Sequence, residues 1–201
     1  MSFVSPHRKP SCKPMRDNAA ELALISRVAT CDRTALEVLY KSYSPRLARF
    51  LDRVTRRQDL IDEAINDTFW IVWNSARDFR GASEVSTWIM GIAYRCTLKA
   101  LRRSGALRSE QGVPVEEACS SNDPFVDHEL LNWVASGLQL LPIEQRVTME
   151  LAYYLGHSLI EISSIMDCPV STVKARMFHA RMKLRNVLPR LAVPETGTHH
   201  V

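Results

Sequence analysis

The 201-residue chain has no stretch of the roughly eighteen uncharged apolar residues that a membrane span needs. Its five cysteines (Cys12, Cys31, Cys96, Cys119 and Cys168) are odd in number and scattered, and none has the CxxC or Cys/His spacing of a zinc site. Such usage fits free thiols in a reducing cytoplasm better than a disulfide framework. Cys12 and Cys119 fall in expected loops. The start MSFVSPHRKPSCKPMR is basic and proline-bearing but leads into no apolar run, so a disordered arm is expected there rather than a secretory leader. P-loop and Rossmann glycine patterns are missing, and so is any nucleophile–base constellation. No enzyme activity, cofactor or metal is therefore expected. Alternating apolar–polar runs bounded by turn residues are few, which argues against a sheet.

What is present is helical periodicity and segregated charge. The net charge is only +4, but basic blocks run from Arg8 to Arg16, Arg95 to Arg108 and Lys174 to Arg190. Acidic blocks run from Asp59 to Asp67 and from Glu110 to Glu129. Such segregation suits partners of opposite sign, with nucleic acid natural for the basic blocks and a basic protein surface for the acidic ones. Helices are expected at 18–30, 32–54, 58–77, 85–104, 127–140, 142–155, 158–166 and 170–188. Between Gly105 and Pro124, glycine, proline, serine and asparagine interrupt all periodicity. The expected architecture is all-α: an arm (1–16), a helical domain (17–104), an acidic linker (105–126), a second helical domain (127–190) and a tail (191–201).

The stretch DCPVSTVKARMFHARMKLR, Asp167–Arg185, has no acid after its first residue, and the next one is Glu195. On a helix, Val173, Met177, Ala180 and Leu184 form one narrow stripe. Lys174, Phe178, Arg181 and Arg185 flank it on one side, with Thr172, Arg176, His179 and Lys183 on the other. Upstream, Leu159, Ile162, Ile165 and Met166 give a short amphipathic helix, with Ser158 and Glu161 in capping-box spacing. Pro169 ends that helix, and Ser171 is placed to cap the next. A capped helix, a short turn and a basic helix with polar residues at its start make a helix-turn-helix pattern, whose second helix reads the major groove. A membrane-surface helix fits poorly, because the stripe is narrow and has no tryptophan.

In DLIDEAINDTFWIVWN, Asp59–Asn74, residues Ile61, Ala64, Ile65, Thr68, Ile71 and Val72 share one side of a helix, with Phe69 at the edge. Asp59, Asp62, Glu63, Asn66, Trp70 and Trp73 share the other, with Asp67 at its edge. Tryptophan amid acids is a frequent composition for a protein–protein hot spot. Packing under a neighbouring helix is the alternative for each ring. Further on, Gly81 opens a loop after Phe79-Arg80. A helix resuming near Val85 carries Trp88, Ile89, Ile92 and Ala93 at helical spacing and ends in Arg95, Lys99, Arg102 and Arg103. Loop, aromatic residue and basic helix end together suit single-stranded nucleic acid. The alternatives are a core role for Trp88 and helix-dipole compensation for the basic end.

Three segments together resemble the extracytoplasmic-function sigma factors of bacteria, sigma-E-like members of the sigma-70 family. DEAINDTFWIVW is similar to region 2.2, DFRGASEVSTWIMGIAYRCTLKALRR to regions 2.3 and 2.4, and ISSIMDCPVSTVKARMFHARMKLR to region 4.2. The resemblance spans roughly Asn18 to Leu188. It implies a promoter-specificity subunit of RNA polymerase. Asp62, Glu63, Asn66, Asp67, Phe69, Trp70 and Trp73 would then bind the β′ clamp helices of the core enzyme, and the C-terminal domain the β flap. Phe79, Arg80, Ala82, Ser83, Trp88, Arg95, Lys99, Arg102 and Arg103 would serve the −10 element, with the loop 79–86 capturing a flipped base. Ser171, Thr172, Lys174, Ala175, Arg176, Phe178, His179 and Arg181 would serve the −35 element. The resemblance also implies an anti-sigma partner. Arg95 stands where the family commonly has Asn, Ala82 where it has an acid, and Ser171 where it has Gly, so promoter preference is expected to differ. A helix-turn-helix regulator acting without polymerase would account for the C-terminal half but not for the acidic, tryptophan-bearing helix. A sigma-like adaptor that only sequesters an anti-sigma protein would leave the intact basic face without a role.

Overall fold

A computed structural model describes residues 18–105 and 128–191. The expected arm, nearly all of the expected linker and tail, Cys12 and Cys119 lie outside the described residues. The N-terminal half contains α1 (Asn18–Ala29), α2 (Arg33–Val54), α3 (Gln58–Ser75), a 3-10 turn (Ala76–Asp78) and α4 (Val85–Arg103). The C-terminal half contains α5 (His128–Gln139), α6 (Ile143–Met149) continued by a π turn (Glu150–Tyr154), α7 (Leu159–Met166) and α8 (Val170–Leu191). There is no strand among the described residues.

Local chemistry sets most of the boundaries. The chain turns between α1 and α2 with Cys31 in the left-handed region, at φ 65°. Asp32 then caps α2, its carboxylate accepting from the backbone N–H groups of Thr34 and Ala35. The Thr34 hydroxyl and the Arg27 guanidinium also bond this carboxylate, and together they hold it far below the usual carboxylate range. Along α2, Ala35, Leu39, Tyr43, Leu47, Phe50, Leu51 and Val54 recur about once per turn and are all buried. Each of the larger ones contributes about 1.5–3 kcal/mol by leaving water.

In the C-terminal half, Ser158 and Glu161 form the expected capping box at the start of α7. Asp167, at φ 50° and ψ 54°, ends α7 in a left-handed turn. Ser171 is not the cap of α8. The helix begins at Val170, and the Pro169 carbonyl accepts the first bonds, from Thr172 N at 2.9 Å and Val173 N at 3.2 Å. Proline fits this place because its missing N–H and fixed φ cost nothing at a helix entrance. Helix α5 lies close on α8 at Gly137, where a Cβ would come within 2.5 Å of Leu188, and Trp133 Nε1 donates to the Leu188 carbonyl at 2.9 Å.

Within the first half α3 and α4 pack together and α2 packs on α3; within the second, α7 and α8 pack together. The halves also meet, α4 against α7 and α2 against α6. One buried cluster therefore runs through both, from Ile61, Ile89 and Leu101 to Leu151, Ile162 and Ile165. A smaller one, Leu141, Met149 and Ala180, lies under α8. The sequence reading gave α4 a single stripe, but thirteen of its nineteen residues are buried, because neighbours cover it on two sides.

Candidate nucleic-acid interface

Three surfaces carry the residues singled out from the sequence. The first is the outer face of α3. Asp62, Asn66 and Trp70 are exposed there, Trp70 by 69%, while Glu63, Asp67 and Trp73 are partly covered. Trp73 packs against the core with part of its ring, so the core alternative holds for part of one tryptophan and not for the other. Phe69 is not on this surface. It is 4% exposed and lies against the Tyr40 ring, with centroids 4.8 Å apart, so it supports the face from beneath. Ile71, expected inside, is 38% exposed beside Trp70. Large apolar groups held among carboxylates offer both buried area and charge to a basic partner.

The second surface comprises the loop before α4 and the exposed edge of α4. Gly81 adopts φ +68°, a conformation that disfavours a side chain, and turns the chain between Arg80 and Ala82. The Phe79 and Trp88 rings sit 4.8 Å apart and pin the loop to the first turn of α4. Both are half-buried. Trp88 is therefore an anchor for the loop rather than a free stacking platform. Arg80 and Ala82 are exposed and Ser83 is partly so. The expected loop 79–86 is shorter in fact: Val85 and Ser86 are already helical and buried, with the Ser86 hydroxyl donating to the Glu84 carboxylate at 3.2 Å. Arg95, Lys99, Arg102 and Arg103 line the exposed edge of α4. Arg103 pairs with Glu63, tying the basic end of α4 to the acidic face of α3. Burial pushes the Cys96 thiol up, which keeps it an inert part of the core.

The third surface is α8. Val173 and Ala180 are fully buried, Met177 and Leu184 half so, as the stripe requires. Ser171, Lys174, Ala175, Phe178, His179 and Arg181 are exposed, Phe178 by 57%. Thr172 and Arg176 are partly covered, and Arg176 Nη1 donates to the Cys168 sulfur at 3.4 Å. A helix with one buried stripe and a basic, polar remainder can enter a major groove without rearranging its own packing.

Sequence reading missed a polar joint between the halves. Arg146, 4% exposed, donates from Nη1 to the Val54 carbonyl at 3.2 Å and to Gln139 Oε1 at 2.7 Å. Its Nη2 reaches the Gln139 and Leu141 carbonyls. One buried guanidinium thus satisfies carbonyl groups at the ends of α2 and α5. Arg53 of α2 lies over the Tyr154 ring, 3.6 Å from its centre, and pairs with Glu150 at 3.3 Å. Glu150 is 5% exposed, and burial raises its carboxyl above the usual range despite Arg53 and Arg146 nearby. The signal was present in EQRVTMELAYYLG, where an Arg and a Glu four residues apart interrupt an apolar face.

Two family models match: Sigma-70 region 2 over residues 39–106, and Sigma-70 region 4 over residues 131–184. The ECF RNA polymerase sigma-E factor of Haemophilus influenzae is 28% identical over 189 residues, covering 88% of this chain and all of that protein. The two matched regions together cover more than half of the chain, which belongs to the sigma-70 family. The Escherichia coli K12 sigma-E factor is likewise 28% identical, over 86% of this chain and 96% of its own length. Two solved structures share the fold. CnrH in complex with the cytosolic domain of CnrY aligns with a TM-score of 0.62 at 22% identity, over 85% of this chain and 98% of that one. The sigma factor RpoE in complex with the anti-sigma factor NepR, from Bartonella quintana, aligns with a TM-score of 0.60 at 21% identity, over 78% and 98%. The three surfaces fall inside the two matched regions: α3 and α4 in the first, α8 in the second, with only its last residues beyond.

Proposed function

We propose that this protein is an alternative sigma factor that joins core RNA polymerase and directs it to promoters through a −10 and a −35 contact. The observation that carries this reading is the co-occurrence, on one all-α chain of this family, of an acidic tryptophan-bearing face and two separate basic helices. A regulator that reads DNA alone needs α8 but has no use for the α3 face. In the reading, Asp62, Glu63, Asn66 and Asp67, with Trp70 and the exposed part of Trp73, meet the β′ clamp helices, and Phe69 braces them. Arg80, Ala82 and Ser83 border the place where a base leaves the stack, and Phe79 with Trp88 fixes the loop. Arg95, Lys99 and Arg102 follow the opened strand, joined by Arg103 once Glu63 turns to the core enzyme. Ser171, Thr172, Lys174, Ala175, Arg176, Phe178, His179 and Arg181 read the −35 element. The 1–16, 17–104, 105–126, 127–190 and 191–201 division assigns these tasks to two domains and a linker.

The relatives in solved structures were captured with a partner protein, and a sigma–anti-sigma pairing is the matching proposal here. The chain supplies binding and strand capture, and the polymerase supplies the chemistry. Core binding brings both DNA contacts to one template, so neither needs high affinity alone. A reconstituted transcription assay with core polymerase and a promoter library tests this. Promoter-dependent initiation only when the protein is added is the expected outcome. Duplex binding without any association with core would overturn it.

A further inference from the structure

Among Lys174, Arg176, Arg181, Lys183 and Arg185 of α8, Arg176 alone is partly covered; the others are exposed. The cause lies in the turn before the helix. Side chains on a helix lean towards its N-terminus, so a long one reaches back over the preceding turn. Arg176 reaches back far enough for Nη1 to donate to the Cys168 sulfur at 3.4 Å, across eight residues and the start of α8. It donates no other hydrogen bond among the described residues.

Cys168 is itself held in place. Its N–H donates to the Ser163 carbonyl at 3.1 Å, and its carbonyl accepts from the Ser163 hydroxyl at 2.6 Å. Both backbone polar groups of this turn residue are thus tied to one residue of α7. Its neighbours narrow the backbone further. Asp167 sits in the left-handed region at φ 50°, and Pro169 restricts the residue before it to extended conformations. The direction in which the sulfur points is therefore set by α7 and by the turn.

We propose that Ser163 and Cys168 are positioning residues for the −35 contact: Ser163 fixes the turn, and the Cys168 sulfur holds the Arg176 guanidinium where it meets a DNA phosphate. This rests on the reading of α8 as the −35 helix. A helix lying in a major groove turns the side opposite its buried stripe to the base edges and its flanks to the groove walls, which are lined by phosphate. Arg176 is on such a flank, close enough to the stripe to be partly covered. An arginine free in water has many rotamers, and a phosphate contact has to freeze them. A guanidinium already held by the turn has lost that freedom on folding. The choice of sulfur matters as well. A thiol is a weak acceptor, so it directs the guanidinium without neutralising it. A carboxylate at the same place would grip Arg176 harder and compete with phosphate for its charge.

The experiment uses the full-length protein bound to core polymerase. The probes are duplexes that the wild-type complex enriches from a random-sequence library, and the controls are the same duplexes with the −35 segment scrambled. Arg176→Ala should lower binding to the probes, relative to the controls, about tenfold and reduce the salt slope by about one ion. Cys168→Val removes the acceptor but suits the extended backbone before proline, and should lower the same binding about fivefold. In an Arg176→Ala background it should add nothing, because the side chain it positions is gone. Cys168→Ser keeps an acceptor and should restore most of the affinity, and Ser163→Ala should lower it in the same direction as Cys168→Val. Denaturant unfolding and core affinity of Cys168→Val should match wild type, which separates positioning from damage to the fold. Wild-type binding by Cys168→Val, or a loss that adds in full to that of Arg176→Ala, overturns the inference. If Cys168→Val does not fold, the same cycle run with Ser163→Ala decides by the same two results. A wild-type complex indifferent to scrambling overturns the reading of α8 itself, a separate failure visible before any variant is made.

Discussion

The proposed function gives DNA contacts to both α4 and α8, yet the fold treats the two helices differently. Helix α8 buries a narrow stripe and leaves Lys174, Ala175, Phe178, His179 and Arg181 in water. Helix α4 buries most of its length between two neighbours and shows only the edge with Arg95, Lys99, Arg102 and Arg103. A helix that reads an intact duplex can be finished in advance, because the groove exists before binding. On the proposed function, α4 holds a strand that exists only once the duplex has opened, so only its basic edge needs to be exposed.

That contrast can be broken or sharpened in four ways. The largest effect is expected from Ile162→Ala in α7, the helix on which both others pack. Loss of a fully buried isoleucine should cost about 2–5 kcal/mol. Denaturant unfolding should show one lowered transition if the halves unfold together; two separate transitions, with only the second shifted, would show that α4 does not depend on α7. Next is Asp62→Lys with Asp67→Lys. Two reversed charges on the α3 face should weaken core binding by at least about 100-fold while duplex binding by α8 persists. Unchanged core affinity would place the docking face elsewhere. Third, Lys174→Ala should lower the salt slope of duplex binding by about one ion in the free protein, whereas Lys99→Ala should matter only once polymerase is present. Equal effects of both in the free protein would erase the distinction between the helices.

The smallest effect concerns pH. Glu150 has its carboxyl raised in the folded chain, with Arg53, Arg146 and Arg56 the cations that oppose the burial. A raised carboxyl means that the folded chain binds more protons than the unfolded one. Its stabilisation is fully present below the ordinary carboxylate value of 4.5 and is lost as pH rises through the raised value. Denaturant unfolding across mildly acid to neutral pH should show stability falling slightly as pH rises, and Glu150→Gln should flatten that trend. A trend of the opposite sign would mean that the Arg53 pair outweighs burial.

Much of this was legible in the sequence for physical reasons. Helix ends carry their own chemistry, so the Ser158–Glu161 box and Pro169 located α7 and α8 closely. Ser171 misled because a good capping residue stood one place inside a helix that Pro169 had already begun. Phe69 and Ile71 exchanged roles at the edge of a helical wheel, where a shift of a few degrees decides burial. Periodicity reports that a face is apolar but not which neighbour covers it. The second covering of α4 and the Arg146–Glu150 joint, both set by contacts far apart in the chain, therefore emerged only in three dimensions.

The Arg146 contact has an evolutionary side. Its partner at the end of α2 is the carbonyl of Val54, and every amino acid has a carbonyl. Val54 is itself buried, so the exchanges it tolerates are apolar, and none of them erases the acceptor provided the helix still ends there. The Arg53–Glu150 pair, by contrast, requires two particular side chains to be inherited together. In chimeras that splice the halves of related chains, the first contact should survive the exchange and the second should be lost.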